Sequence, residues 1–302
     1  MHRRTFLKVA PALGFLASCG KSSKIRLALN WKPEPEFGGY YAADYRKHGL
    51  NVEILPGGAG TPTVQMIGAG SAEFGIVGGD ELLIARSRGN DVVALFATYQ
   101  NNPLGIMAHA SRDSLADVMK GGTLALQSGL PYARFLQKKY GFDKVKIVPS
   151  TGGDITAFLN NPNFAQQCFI TSEPLTARRK SADVKVFPIS DAGYNPYAEV
   201  MATSGDMLRR QPDTVKAMVA AVREGWRTYL DNPKPGNERM RELNPTMELA
   251  TFAEGAEAQK PLIDTDVLGK MTKERWETLA QQLKELGDIP QVPPVEECFR
   301  SF

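Results

Sequence analysis

The chain has 302 residues, 42% hydrophobic and 23% charged, the balance of a globular protein and not of a disordered one. Its formal charge of +3 comes from the extreme N-terminus: without Arg3, Arg4 and Lys8 the 36 basic residues fall to 33, matching the 33 acidic ones. A neutral body with no basic stripe excludes an electrostatic nucleic-acid binder. With only His2, His48 and His109, it also excludes a His-built metal site.

The first residues read as a targeting segment. His2-Arg3-Arg4-Thr5-Phe6-Leu7-Lys8 is a basic n-region and Val9 to Ala17 a short apolar h-region, too short to span a bilayer as a stable helix. The twin Arg with Phe-Leu-Lys looks like a twin-arginine export signal. Leu16-Ala17-Ser18-Cys19-Gly20 resembles a bacterial lipoprotein signal, which makes residues 1–18 a leader, Cys19 the lipidated residue and 19–23 a tether. Cys168 and Cys298 remain. Neither has a metal-ligand neighbour, and Cys168 in Cys168-Phe169-Ile170 reads as a buried thiol.

Lys24 to Ala28 alternates as a strand. After it come Asn30, Trp31, Pro33, Glu34, Pro35, Glu36 and Phe37, then a helix from Tyr40 to His48 stopped by Gly49. A Trp at such a strand end either stacks on a flat ligand or plugs the core beneath it; both readings are open at this point. Strands follow at Asn51–Leu55, Glu73–Val77 and Val92–Thr98, with helices from Thr61 to Ala69 and from Asp80 to Arg88 between them. The glycines of Gly57-Gly58-Ala59-Gly60-Thr61 serve tight turns, because no Lys-Ser/Thr of a phosphate loop follows. Strand and helix alternating at these intervals predict a parallel sheet with right-handed crossovers.

Leu104–Ala108 is a further strand, and the pattern then restarts. Strands are expected at Thr123–Leu126, Lys144–Val148, Gln167–Ile170 and Val184–Ile189, with helices at Leu115–Val118, Tyr132–Tyr140, Ile155–Leu159 and Leu175–Lys180. After the strand Ala198–Thr203 come long amphipathic helices over Pro212–Tyr229, Leu249–Gln259 and Leu268–Leu286. The expectation is α/β, two lobes each built on a mostly parallel sheet flanked by helices. Residues 24–107 with 200–302 form the first lobe and 108–199 the second, with two crossover strands as the hinge.

No Ser-His-Asp constellation, Gly-x-Ser-x-Gly elbow or His-Glu-x-x-His is present. Acid pairs such as Glu34/Glu36 and Asp80/Glu81 suit acid-base work, and suit loop polarity and helix N-terminal charge better. What recurs is polar residues at strand ends: Asn30-Trp31, Gln127-Ser128, Thr151 and Ser172-Glu173. Facing one another across a cleft, these would recognise a ligand without attacking it.

The run from Asn30-Trp31 to Tyr41-Ala42-Ala43, together with Phe74-Gly75-Ile76-Val77-Gly78-Gly79, Thr171-Ser172-Glu173-Pro174 and Gly193-Tyr194-Asn195-Pro196-Tyr197-Ala198-Glu199, resembles the substrate-binding proteins of ABC importers. The group is that of the thiamine-pyrimidine-precursor binders and the sulfonate, taurine and nitrate binders. The resemblance spans about residues 24 to 290. It implies the two-lobed periplasmic-binding-protein fold (type II) and a monomer that takes a small ligand, uses no cofactor and delivers to a permease with its ATPase. It also implies that Trp31 stacks on the ligand ring, Glu173 accepts from ring amino groups, and Tyr194 and Tyr197 wall the other side. Glu36, Phe37, Tyr40, Gly79 and Asp80 lie in the matching stretches and join the expected site. Where pyrimidine-binding relatives carry an Asn-Thr-Asn-His run, this chain has Glu34-Pro35-Glu36-Phe37. Where pyrimidine synthases of the same fold carry a cysteine-rich motif, it has Tyr194-Asn195-Pro196-Tyr197, which argues against synthase activity. Glu34, Glu36 and Glu173 would repel a simple anion. A flat, amine-bearing heterocycle, a thiamine-type pyrimidine first and a flavin next, is therefore expected ahead of a sulfonate, taurine or nitrate.

Overall fold

Ten short strands, mostly β-branched and apolar and bounded by Gly, Pro or Asn, assemble into two five-stranded sheets in a computed structural model that describes residues 24–127, 129–150, 152–263 and 266–302. The strands are β1 (Ile25–Ala28), β2 (Val52–Leu55), β3 (Phe74–Val77), β4 (Val92–Tyr99), β5 (Leu104–His109), β6 (Thr123–Leu126), β7 (Lys146–Pro149), β8 (Phe164–Phe169), β9 (Val184–Pro188) and β10 (Ala198–Ser204). The first sheet has the order β2-β1-β3-β10-β4 and the second β7-β6-β8-β5-β9. The chain thus passes between the sheets twice, through 100–103 and through 189–197. The leader and Cys19 lie outside the described residues, as do Ser128 and Thr151.

Both sheets are mixed. β1 runs parallel to β2 and β3, but β10 is antiparallel to both β3 and β4. In the second sheet β6 is parallel to β7 and β8, while β5 is antiparallel to β8 and β9. The cause is the two crossings. β5 and β10 each enter a sheet from the other lobe, so no crossover helix on that sheet sets their direction.

Two helices depart from the expected bounds. Tyr40–His48 splits into a helix at Gly38–Ala42 and a 3-10 turn at Arg46–His48, because Ala43 takes an extended ψ of 131°. The last long helix begins at Lys273, not Leu268: Gly269, at φ +82°, pairs with Ala97 of β4, and the Thr272 hydroxyl caps the Arg275 N–H. Helices at Gly205–Arg210 and Lys234–Leu243 were not expected.

Helix Pro212–Asp231 anchors the first lobe. Val215, Met218, Val219, Val222, Trp226 and Tyr229 form its buried face, each large side chain contributing about 1.5–3 kcal/mol. It presses on Gly38 and Gly39, where an added Cβ would lie 2.2 Å from the Tyr229 and Trp226 rings respectively. Only glycine admits that approach, and it fixes the turn Pro35–Phe37 just before. Helix Lys273–Glu285 lies against helix Gly79–Ser87 of the first lobe and joins the second through the Arg134–Asp288 and Lys138–Glu285 ion pairs. The tail then pairs at Phe299 with Ala94 on β4. Among the described residues no helix is long and apolar enough to cross a membrane.

Candidate functional site

A cleft of about 880 Å³ lies between the lobes. The first lobe supplies Asn30, Trp31, Glu34 and Glu36 after β1, and Gly78, Asp80 and Glu81 after β3. The second supplies Gln127 after β6, Ser150 and Gly152 after β7, and Ser172 and Glu173 after β8; the crossings add Asn102, Tyr194 and Tyr197, and the start of β10 adds Glu199. Most of these are carboxyl ends of strands, where open α/β sheets bind ligands.

Trp31 belongs both to the cleft and to the packing beneath it. It lines the cleft, is half-buried, and leans on the first lobe's core. Its indole N–H donates to Glu34 Oε1 at 3.3 Å. Across the cleft the ring meets Gly152, where an added Cβ would come within 2.7 Å of it; Gly152 also sits at φ +69°. Behind it Gly57 packs on the Trp31 backbone, donating its N–H to the Trp31 carbonyl at 3.0 Å, so the glycine loop is a tight turn that seats the tryptophan.

The other expected residues divide. Asp80 accepts from the Tyr194 hydroxyl and from the Glu81 N–H, both at 2.9 Å, which ties helix Gly79–Ser87 to the second crossing. Glu173 lines the cleft with each oxygen taking a backbone N–H, from Gly153 at 3.2 Å and Phe169 at 2.9 Å. Gln127 donates its N–H to Gln167 Oε1 and the Tyr132 hydroxyl, a network on the second lobe's wall. Tyr197 lines the cleft but holds the hinge: its hydroxyl accepts the Thr272 N–H at 3.0 Å, and the Arg275 guanidinium stacks 3.9 Å from its ring centre. Phe37 and Tyr40 are fully buried in the first lobe's core and do not line the cleft. Gly79 is buried as well, its N–H donating to the Tyr197 carbonyl at 2.9 Å. These three support the wall from behind.

Glu81, Asn102, Glu199 and the Arg134–Asp288 pair are not among the expected site residues, and Glu34 enters the expectation only as a charge near the cleft. Glu34 and Glu81 adjoin expected ones, so their signal was present. Glu199 lies inside a strand-like run, and nothing in the sequence shows that it adopts φ +48°, a left-handed backbone uncommon for a side chain of this size.

The wall is acidic: seven carboxyls (Glu34, Glu36, Asp80, Glu81, Glu173, Glu199, Asp288) against the guanidiniums of Arg88 and Arg134, and Arg134 is paired with Asp288. Burial pushes the Glu34 carboxyl up to about 7, helped by Glu173 and opposed by hydrogen bonds from Trp31 and Ser172. Burial, with Asp80 alongside, brings Glu81 to about 7; burial brings Glu199 to about 8 against a hydrogen bond from Asn30. Burial and then the neighbouring Glu34, Glu199 and Glu173 lift Glu36 well above the usual range. At neutral pH Glu34 and Glu81 are part acid, part carboxylate, so they can both donate and accept. The Cys168 thiol, also in the wall, is pushed up by burial and is a poor nucleophile.

A family model described as NMT1/THI5 like matches residues 34–235. A Brucella abortus protein named only as a binding protein is 22% identical over an alignment of 302 residues, covering 88% of this chain and 82% of its own. The riboflavin-binding protein RibY of Chloroflexus aurantiacus is 24% identical over 250 residues, covering 76% of this chain and 69% of its own. Among solved structures, the periplasmic aliphatic sulphonate-binding protein SsuA of Escherichia coli superposes with a TM-score of 0.71 at 14% identity, over 91% of each chain.

Proposed function

Since the chain belongs to the NMT1/THI5-like family, we propose that it is the exported solute-binding component of an ABC importer, held at the membrane by a lipid on Cys19. Its two lobes, joined by the crossings at 100–103 and 189–197, would close on a flat, amine-bearing nitrogen heterocycle and hand it to a permease unchanged. The observation that carries this reading is the cleft itself, with an indole on one side, buried carboxyls around it and, among the described residues, only one unpaired guanidinium. A carboxyl that both donates and accepts matches the adjacent amino group and ring nitrogen of an aminopyrimidine. An alkanesulfonate, taurine or nitrate would bring a negative charge into that field. Among the described residues the same wall offers no His and no activated nucleophile, which supports capture without turnover.

A flavin is the second ligand, favoured by the likeness to a riboflavin-binding protein and by the 880 Å³ volume, ample for a tricyclic ring. A thermal-shift series with an aminopyrimidine, riboflavin and an alkanesulfonate tests the reading. At a hundredfold excess over Kd, ligand stabilises by about 2.7 kcal/mol. A rise with a heterocycle and none with sulfonate is expected; a rise with sulfonate alone overturns it.

A further inference from the structure

Two carboxyls of the cleft wall each leave one oxygen without a partner. Glu36 is 3% exposed and Glu199 5%, and Oε2 of each has no hydrogen-bond partner. Asn30, beside Glu199, leaves its Oδ1 unpartnered too. The hydroxyls that approach are committed elsewhere: Tyr99 donates to Gln259 at 2.6 Å, Tyr229 to Asn237 at 2.6 Å, and Tyr40 lies 3.2 Å from Thr98. The charged groups acting on the pair are all acids, Glu34 and Glu173 on Glu36, and Glu81 on Glu199. Buried acceptors are normally satisfied, so the orphaned oxygens of Asn30, Glu36 and Glu199, gathered on one side of the cleft, mark the place of a missing donor.

The chain also goes out of its way to hold them there. Pro35 opens the turn that carries Glu36, and Gly38 and Gly39 let Tyr229 and Trp226 clamp it. Glu199 takes its place at φ +48° in the first residues of β10, a conformation that persists only where surrounding structure imposes it. Among the described residues no three His, Cys, Asp or Glu groups converge as metal ligands would. A hydrogen-bond donor bearing positive charge, and more than one N–H, fits these acceptors.

We infer that Glu36 and Glu199, with Asn30 beside them, form an ammonium subsite, so that the ligand is a heterocycle carrying a basic amine bound as its cation. This rests on the heterocycle-binding reading and narrows it. In the empty protein burial keeps the pair protonated at neutral pH, and an arriving ammonium draws the carboxyls into their charged form and releases a proton to solvent.

Calorimetry with two isosteres separates the subsite from the reading beneath it: a pyrimidine with an aminomethyl arm, and the same ring with a hydroxymethyl arm. The wild-type protein should bind the amine at least about tenfold more tightly. At pH 7, titrations in buffers of different ionisation enthalpy should show proton release with the amine only. Glu36→Gln and Glu199→Gln, which keep the shape and should melt as the wild type or higher, should bring the two affinities together and abolish the release. Equal affinities in the wild type, or a preference surviving both variants, overturn the subsite and leave the heterocycle reading standing. Binding of neither compound overturns the subsite together with the pyrimidine reading.

Discussion

Arg275 joins the two crossings to the C-terminal helix, and its removal should be felt in both stability and binding. Its Nε donates to the Asn195 carbonyl at 3.0 Å, Nη1 to the Gln100 carbonyl at 2.5 Å, and Nη2 to Asn195 Oδ1 at 3.0 Å and the Pro196 carbonyl at 3.3 Å. The two crossings are already cross-linked, since Asn102 donates its N–H to Asn195 Oδ1 at 2.9 Å and its amide to Pro196 at 3.1 Å. Arg275 completes that junction and stacks 3.9 Å from the Tyr197 ring. Charge-assisted hydrogen bonds contribute about 1.5–3 kcal/mol each, but acceptors at a half-buried site partly rehydrate. Adding about 1 kcal/mol for the stacked cation, Arg275→Met, which keeps the apolar stem, should cost about 3 kcal/mol. For a chain of this size that corresponds to a melting point lower by roughly 6–12 °C. Calorimetric melting of the protein measures it. A loss below about 2 °C would refute the hinge-clamp reasoning, because a bond set of this kind cannot be removed so cheaply from a junction that supports both lobes.

Trp31→Ala should abolish ligand-dependent quenching of tryptophan fluorescence and cost only about 1–2 kcal/mol of stability, since the ring is half-buried; a large melting loss with binding intact would make it a core plug. Gly152→Ala should weaken binding and shift the Trp31 emission, because the added Cβ meets the ring at 2.7 Å and the backbone sits at φ +69°; unchanged emission and affinity would show that the two do not touch in solution. The buried carboxyls set a pH dependence. Glu34 and Glu81 at about 7 and Glu199 at about 8 lie above the unfolded value of 4.5. The folded protein therefore holds more protons than the unfolded chain, and these groups' stabilisation, full below 4.5, is lost as pH rises through their folded values. The ligand-free melting point should fall between pH 5 and pH 8, and a Glu34→Gln/Glu81→Gln/Glu199→Gln variant should flatten that slope; an unchanged slope would place the carboxyls in water.

The strands were legible because each is a short apolar run closed by a turn former, and all ten appear where the pattern placed them within a few residues. Their directions in β5 and β10 were not legible, since a strand that arrives from another lobe takes its orientation from tertiary pairing. The break at Ala43 was hidden by a sequence that reads as helix throughout, and the late start at Lys273 by the pairing of Gly269 with Ala97. At the site, Asn30 and Trp31 could be found from their place at a strand end. Phe37 and Tyr40, a few residues further along, could not be told from wall residues. Which way a turn faces depends on helix Pro212–Asp231, more than 170 residues away. Glu199 was invisible for the same reason: its place in the cleft depends on a backbone conformation that no residue type announces.

The central claim is that this chain captures a flat nitrogen heterocycle and releases it unaltered. Native mass spectrometry of the protein mixed with equal amounts of an aminopyrimidine, riboflavin and an alkanesulfonate tests it directly. The account predicts that the retained mass is a heterocycle's and that the compound recovered on denaturation has its starting mass. Retention of the sulfonate alone, or recovery of a chemically changed heterocycle, would contradict it.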